Sequence, residues 1–234
     1  MKLTHFRLCP FSRSIRLAFA ELGLEPVLVD ERPWEMRPAF LAVNPAGELP
    51  VLELANSLVL CGAYSISEFL AEEAENSEAD ERTLRLFPGT PEDRAEVRRL
   101  VDWFQGKLNR EVTQPIVAEK IVGRFTGGPA AQTHAPPNVE LLRALRANLR
   151  YHLGYISFLA DQRRWLAGDE MSFADLTAAA HLSVIDYLGE VPWDDYLLAK
   201  SWYVRLKSRR AFQPLLADRL PGMPPPIAYT DLDF

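Results

Sequence analysis

The sequence has little cysteine, no excess of positive charge and no long hydrophobic run, and each of these absences excludes a class of protein. Two cysteines in 234 residues, Cys9 and Cys61, are too few for a disulfide framework, so we expect a reducing compartment and a cytoplasmic location. Basic residues number 26 against 32 acidic ones, and the resulting net charge of −6 argues against nucleic acid as a partner. Since no segment supplies the ~18 uncharged apolar residues of a membrane helix, no membrane span is expected.

The residues that are present have the composition of a globular chain, with 48% hydrophobic and 25% charged residues. The first half alternates short strand and helix patterns in the order β-α-β-α-β-β-α, and Cys9-Pro10 opens its first helix. A unit of this size cannot bury its sheet without a partner. We therefore assign residues 1–76 to an α/β domain, 77–91 to an acidic linker, 92–220 to an all-helical domain and 221–234 to a Pro-rich, then acidic and aromatic, tail.

The second half is predicted to be helical throughout. Thr90 with Asp93 resembles a helix-capping pattern, and Ser172 with Asp175 forms a capping box before a later helix. Pro115 is expected to kink or end the first of these helices. The histidines of this half have no neighbouring cysteine or carboxylate at metal-ligand spacing, so no metal site is expected.

Four ordered motifs resemble those of the glutathione transferase superfamily, and together they cover nearly the whole chain. They are residues 9–16 (CPFSRSIR), 44–52 (NPAGELPVL), 168–175 (GDEMSFAD), and 202–206 (WYVRL) with 210–212 (RAF). The resemblance implies a thioredoxin-like α/β N-terminal domain followed by an all-α helical-bundle C-terminal domain, which is the glutathione transferase fold. It also implies a cis peptide bond before Pro50, and a homodimer in which the small half packs against the neighbour's helical half.

Cys9 is the candidate catalytic residue, with Ser12 beside it. A thiol at a helix N-terminus lies close to unpaired N–H groups and to the positive end of the helix dipole, which lower its pKa and favour the thiolate. Because Ser12 stands where a resolving cysteine would be, the C-x-x-S spacing suggests monothiol chemistry on a glutathione mixed disulfide. The alternative is a half-buried Cys9 that packs as a small hydrophobic side chain, and both interpretations stay open.

The resemblance implies a glutathione site at Leu49, Pro50 and Ala63, but the chain departs from the family there. In relatives, the backbone of the residue at Leu49 holds the cysteinyl part of glutathione. Most relatives also carry an acidic or amide residue followed by serine before the third helix, where this chain has Gly62 and Ala63. Each lost charge-assisted contact, worth ~1.5–3 kcal/mol, weakens binding roughly tenfold or more. We expect a weak or vestigial site and no required cofactor, which argues against catalysis unless Ser65 compensates.

Two surfaces are candidates for partner binding. In the C-terminal tail a stiff proline run precedes apolar and acidic residues, and the candidate contacts there are Tyr229, Asp231, Leu232, Asp233 and Phe234. The tail has two alternative interpretations, a cap folded back over the cleft and a frayed terminus. The second surface contains Trp34 and Met36, large apolar side chains in a charged loop with no obvious core face.

These observations lead to two hypotheses for the function, a binding module and an enzyme. The tail and the impaired glutathione site are compatible with a non-catalytic binding module, and the chain resembles the branch of the superfamily that serves bacterial cell division. That resemblance implies filaments of the tubulin-like GTPase FtsZ as the partner, regulation of those filaments, and a location at the division site. The alternative is a glutathione-dependent transferase or thiol reductase that uses Cys9. The fold alone does not choose between these functions.

Overall fold

A four-stranded sheet organises the N-terminal half. The computed structural model describes residues 1–76, 84–126 and 138–232. The elements of the first range are β1 (Lys2–His5), α1 (Pro10–Glu21), β2 (Val27–Asp30), α2 (Pro38–Val43), β3 (Val51–Glu53), β4 (Val59–Cys61) and α3 (Ala63–Asn76). The strand order is β2-β1-β3-β4, with β1 parallel to β2 and antiparallel to β3, and β3 antiparallel to β4. This confirms the predicted element order and the thioredoxin-like N-terminal domain.

The register of this sheet follows from the alternation of its side chains. Leu3 of β1 lies opposite Leu28 on one side and Leu52 on the other, and both Leu3 and Leu52 are fully buried. Between α1 and β2 the chain reverses at Gly23, whose φ of 69° is favourable only for a residue without a side chain. The predicted end of α1 at this glycine is thus confirmed.

The C-terminal half is helical, as predicted. Its elements are α4 (Pro91–Asp102), α5 (Val139–Gln162), α6 (Phe173–Tyr187), α7 (Leu197–Lys207) and the short α8 (Gln213–Leu216). After α4 the chain stays helical to Thr126, through a π-helical stretch over Trp103–Thr113, and we refer to residues 91–126 as the long helix. Pro115 therefore does not end this helix. It follows directly on the π-helical turns, where the backbone already departs from α-helical geometry.

Helix α6 is the centre of the molecule, because each of its residues is buried and α1 of the N-terminal half packs along it. The predicted capping box at its start is present, with the Asp175 carboxylate accepting from the Ser172 N–H at 3.1 Å. Asp175 also accepts from the Trp202 indole at 2.9 Å, which ties α7 to the same point. Within the ranges described, no helix combines the length and apolar character needed to cross a membrane.

Candidate functional site

A cleft of about 770 Å³ opens between the two halves of the chain. The N-terminal half contributes the starts of α1 and α3 and the loop that precedes β3, including Cys9, Leu49 and Ala63. The long helix forms the opposite wall with Gln105 and Asn109 among its residues. The structure thus brings together the three positions at which the sequence predicted a thiol and a glutathione site.

Cys9 caps the N-terminus of α1, as its position before Pro10 predicted. Its sulfur accepts from the Ser12 N–H at 3.4 Å, and its thiol points toward the Leu49 carbonyl at 4.0 Å, the outer limit for a hydrogen bond from sulfur. Burial raises the pKa of the Cys9 thiol, and this exceeds the opposite effect of the hydrogen bonds from Ser12. The expectation of a lowered pKa is therefore wrong, because burial destabilises the thiolate by more than the helix N-terminus stabilises it.

The bond between Leu49 and Pro50 is cis, which confirms that prediction. Both residues are buried, and the Leu49 backbone contributes to the cleft wall. Its carbonyl is the group that faces the Cys9 thiol. The Leu49 backbone and the Cys9 sulfur therefore share one end of the cleft.

At the start of α3, Gly62 and Ala63 offer the cleft no side-chain hydrogen-bonding groups, whereas Tyr64 and Ser65 line it with hydroxyls. Gly62, with a φ of 86°, leads into Ala63, which is the first residue of the helix. The Ser65 hydroxyl donates to the carbonyls of Cys61 and Gly62, so its proton is committed to the local backbone. Ser65 would have to give up these bonds to compensate for the missing side chains at Gly62 and Ala63.

The cleft is also poor in charge. Glu48 is the one charged side chain among the described residues that line it, and its long-helix wall carries the neutral amides of Gln105, Asn109 and Gln114. A ligand with two carboxylates, such as glutathione, would find no cation among these residues to offset its charge. Across the described ranges, no cluster of three or more histidine, cysteine or carboxylate side chains is arranged to hold a metal ion.

Trp34 and Met36 differ in their surroundings. The Trp34 ring packs edge-on against Phe6 at 4.9 Å and stacks on Phe125 of the long helix at 5.7 Å, so it joins the two halves at the cleft. The expectation that Trp34 lacks a packing face is wrong, because its partner lies far along the chain. Met36 is 58% exposed and remains a candidate surface residue.

The tail folds back onto the body of the protein. Tyr229 is only 1% exposed, with its ring edge-on against Tyr187, so its assignment as a surface contact is wrong: burying an aromatic ring is favoured over leaving it in water. Asp231 is exposed, whereas Leu232 is half-buried against the core. No described residue of the tail lines the cleft, so the predicted cap is not formed by these residues. Asp233 and Phe234 lie outside the described residues.

Arg13 and Lys207 were not singled out in the sequence, yet both are fully buried. Arg13 contacts Asp218 at 3.3 Å, and the Lys207 ammonium donates to the Asp231 carbonyl at 2.7 Å. In the sequence both look like ordinary surface charges at helix positions. The one signal for Arg13 is its place inside the CPFSRSIR motif, because its partner is 205 residues away.

The chain was compared with protein-family models, curated proteins and solved structures. The N-terminal domain model of glutathione S-transferases matches residues 8–73, and the C-terminal domain model matches residues 117–210. FtsZ-localized protein A of Caulobacter vibrioides is 46% identical over 235 residues, which cover 99% of this chain and 97% of that protein.

Two solved structures are similar over the full length of the chain. A glutathione S-transferase from Sinorhizobium meliloti has 46% identity and a TM-score of 0.91, with 100% of this chain and 99% of that chain covered. FzlA from C. crescentus has 44% identity and a TM-score of 0.88, with 100% of both chains covered. Because both domain models match in order and the similarity to relatives extends over the whole chain, this protein belongs to the glutathione S-transferase superfamily.

Proposed function

We propose that this protein is a non-catalytic binding module that binds FtsZ filaments and regulates them during bacterial cell division. The observation that carries this proposal is the 46% identity to FtsZ-localized protein A over 99% of the chain. The name of that relative states where it is found, and an FtsZ-bound protein of this kind would be located at the division site.

The cleft supports a binding role over a catalytic one. Gly62 and Ala63 provide no side-chain groups for a glutathione carboxylate, and Glu48 adds a negative charge to the cleft wall. Cys9 is half-buried in the cleft, and the raised pKa of its thiol disfavours the thiolate that a transferase or reductase would need. No cofactor is required for the proposed role.

Of the candidate contact residues predicted from the sequence, only some are accessible in the structure. Asp231, with the neighbouring Leu232, remains on the tail, and Met36 remains on the loop after β2. We place the FtsZ contact on the tail first, because its carboxylate and apolar side chain sit next to each other on an anchored segment. Anchoring reduces the number of conformations that must be ordered on binding.

The alternative function is a glutathione-dependent transferase or thiol reductase. Its specific support is the position of Cys9, which caps α1 inside the cleft and faces the Leu49 backbone. The match to a structure described as a glutathione S-transferase is compatible with it.

Two measurements separate these functions. Purified protein is sedimented with FtsZ polymerised with GTP, and with unpolymerised FtsZ as control; we expect the protein in the pellet only with filaments. Cys9→Ala is expected to pellet as the wild type does, because a small side chain at this site contributes packing and no chemistry. Failure of the wild-type protein to pellet contradicts the proposal.

The second measurement is a glutathione titration in a calorimeter, followed by a turnover assay on a glutathione mixed disulfide. The binding module predicts weak binding and no turnover. Micromolar affinity together with turnover that Cys9→Ala abolishes would establish the alternative.

A further inference from the structure

The last described segment of the chain, residues 227–232, is attached to the body at a few points, and we call it the C-terminal strap. We propose that docking of this strap and the conformation of the Cys9 turn are coupled through Arg13, so that release of the strap loosens the cleft at Cys9. The coupling links a terminal segment that does not line the cleft to the turn that carries the Cys9 thiol.

The strap docks by inserting one ring. Tyr229 lies edge-on against Tyr187 at 5.2 Å, and its hydroxyl donates to the Leu215 carbonyl at 3.1 Å. The chain reaches this position by passing close to Gly189, where a Cβ atom would stand 3.1 Å from the Pro226 ring. Gly189 also has a φ of 70°. Both this left-handed backbone conformation and the nearby Pro226 ring favour glycine at the end of α6.

The backbone of the strap is held by a buried amine. The Lys207 ammonium donates to the carbonyls of Ala228 at 3.3 Å and Asp231 at 2.7 Å, and it lies 3.8 Å from the Asp186 carboxylate. Leu232 is half-buried against the core, whereas Ile227 is 94% exposed. A short terminal segment with one fully buried ring and few buried apolar contacts belongs to the low-stability parts of a protein, which open without global unfolding.

Arg13 connects the strap to the N-terminal half. Its guanidinium is fully buried and donates to the Tyr229 hydroxyl at 3.1 Å, the Ser183 hydroxyl at 2.8 Å, the Asp218 carboxylate at 3.3 Å and the Arg7 carbonyl at 2.7 Å. Departure of Tyr229 leaves a buried N–H without its partner. Displacement of the guanidinium toward water or toward another acceptor then becomes favourable, because it satisfies this N–H. Such a displacement also changes the geometry of the remaining hydrogen bonds of Arg13.

One of those remaining bonds fixes the turn that carries the thiol. Arg13 holds the Arg7 carbonyl through Nε, two residues before Cys9, and its backbone N–H donates to the Cys9 carbonyl at 2.9 Å. The Cys9 N–H closes the same turn by donating to the Phe6 carbonyl at 3.0 Å. A shift of Arg13 therefore changes the position and exposure of the Cys9 sulfur. By linkage, a change at the Cys9 turn alters strap docking by the same free energy.

Tyr229→Phe tests the coupling, because it keeps the ring against Tyr187 and removes the hydroxyl that Arg13 holds. The readout is the alkylation rate of each cysteine with iodoacetamide, resolved by peptide mass spectrometry. We expect Cys9 to react ~10-fold faster in Tyr229→Phe, since the loss of one hydrogen bond to a charged group shifts docking by about that factor. The exposed Cys61 serves as the internal reference and keeps its rate. Tyr196→Phe, at a half-buried tyrosine that belongs neither to the strap nor to the cleft lining, is the matched control.

A second variant, truncated after Pro226, lacks the whole strap. Its Cys9 is expected to be alkylated at least as fast as Cys9 in Tyr229→Phe. Hydrogen exchange of the buried α6 amides must stay slow in both variants, which excludes global unfolding as the cause. An unchanged Cys9 rate in both variants overturns the proposal, as does a faster rate accompanied by faster exchange throughout α6. FtsZ is absent from the assay, so the result is independent of the proposed function.

Discussion

At the scale of single residues, Cys9 is a position where two electrostatic effects oppose each other. The helix N-terminus and the Ser12 N–H favour a thiolate, whereas burial favours the neutral thiol and raises its pKa. Burial is the larger effect, and the thiol is oriented toward a carbonyl, as a proton donor would be. The geometry of a nucleophile is therefore present without the ionisation that a nucleophile requires.

Ala63→Ser is expected to increase glutathione affinity by roughly tenfold. The substitution adds a hydroxyl at the first turn of α3, where one charge-assisted hydrogen bond is worth ~1.5–3 kcal/mol. Titration calorimetry of both proteins checks this. Tight, micromolar binding by the wild type would contradict the interpretation of the cleft as a weak or vestigial glutathione site.

His181 makes the protein sensitive to acid. Burial lowers its pKa to about 3, so between this value and its ordinary 6.5 the unfolded chain binds a proton that the folded chain does not. Stability is thus lost as the pH falls through this window. The pKa of His5, lowered by burial to about 4, adds to the loss, whereas the pKa of Asp186, raised by burial to about 6, opposes it between 3.8 and 6.

His181→Asn is expected to reduce that sensitivity, because asparagine does not titrate there. Between pH 7 and pH 5, urea unfolding should show the wild type losing about 2 kcal/mol more than the variant. The variant is expected to be less stable at pH 7, since the packing of the ring against Phe11 is lost. Equal losses in the two proteins would mean that a neutral His181 is not the cause.

At the scale of elements, the C-terminal tail is held in place by its proline run, one buried ring and the buried Lys207 ammonium. The three prolines at 224–226 keep it extended, and Tyr229 and the Lys207 ammonium then fix its position. The tail is therefore an integral part of the fold that also presents Asp231 to solvent.

Asp231→Lys is expected to weaken co-sedimentation with FtsZ filaments by reversing a charge at the proposed contact. Burial lowers the pKa of Lys207 to about 8, and the Asp231 carboxylate offsets part of this effect, so a lysine at position 231 would repel the Lys207 ammonium and loosen the tail. Asp231→Asn is the matched control, because it removes the charge and keeps the shape; it should give an intermediate effect. If Asp231→Lys and removal of residues 227–234 both leave co-sedimentation unchanged, the contact is elsewhere, and the exposed Met36 on the loop after β2 is the next surface to test.

At the scale of the whole molecule, each half leaves apolar side chains in water. Leu58 and Tyr64 are 45% and 48% exposed at the β4 edge and the start of α3, and Tyr151 and Phe158 are 59% and 61% exposed on α5. Exposed apolar residues on both halves are suited to a symmetric dimer. In such a dimer the N-terminal half of each chain packs against the helical half of its partner.

The protein is expected to be a homodimer, which light scattering at micromolar concentration measures. Tyr151→Asp should shift the mass toward the monomer, because a buried unpaired carboxylate opposes association. Leu197→Asp, at another exposed apolar residue, is the control and should leave the mass unchanged. A monomer mass for the wild type contradicts this prediction.

The order of the strands and helices could be predicted from the amino-acid sequence. Local patterns suffice for that purpose: the cap at Cys9 and Pro10, the capping box at Ser172 and Asp175, and the glycine after α1 each act through neighbours a few residues away. The cis bond before Pro50 is implied by the resemblance to the family, and the structure has it. That Gly62 and Ala63 leave a weak or vestigial glutathione site stays a prediction.

Which groups are buried depends on the three-dimensional fold, and burial in turn determines their ionisation and packing. The ionisation of Cys9 depends on removal from water, the packing of Trp34 depends on Phe125, and the anchoring of Tyr229 depends on Arg13. In the last two cases the partners are 91 and 216 residues apart, so no local pattern records them. Electrostatic free energies depend on distance through space and on the surrounding medium, and both are properties of the folded chain.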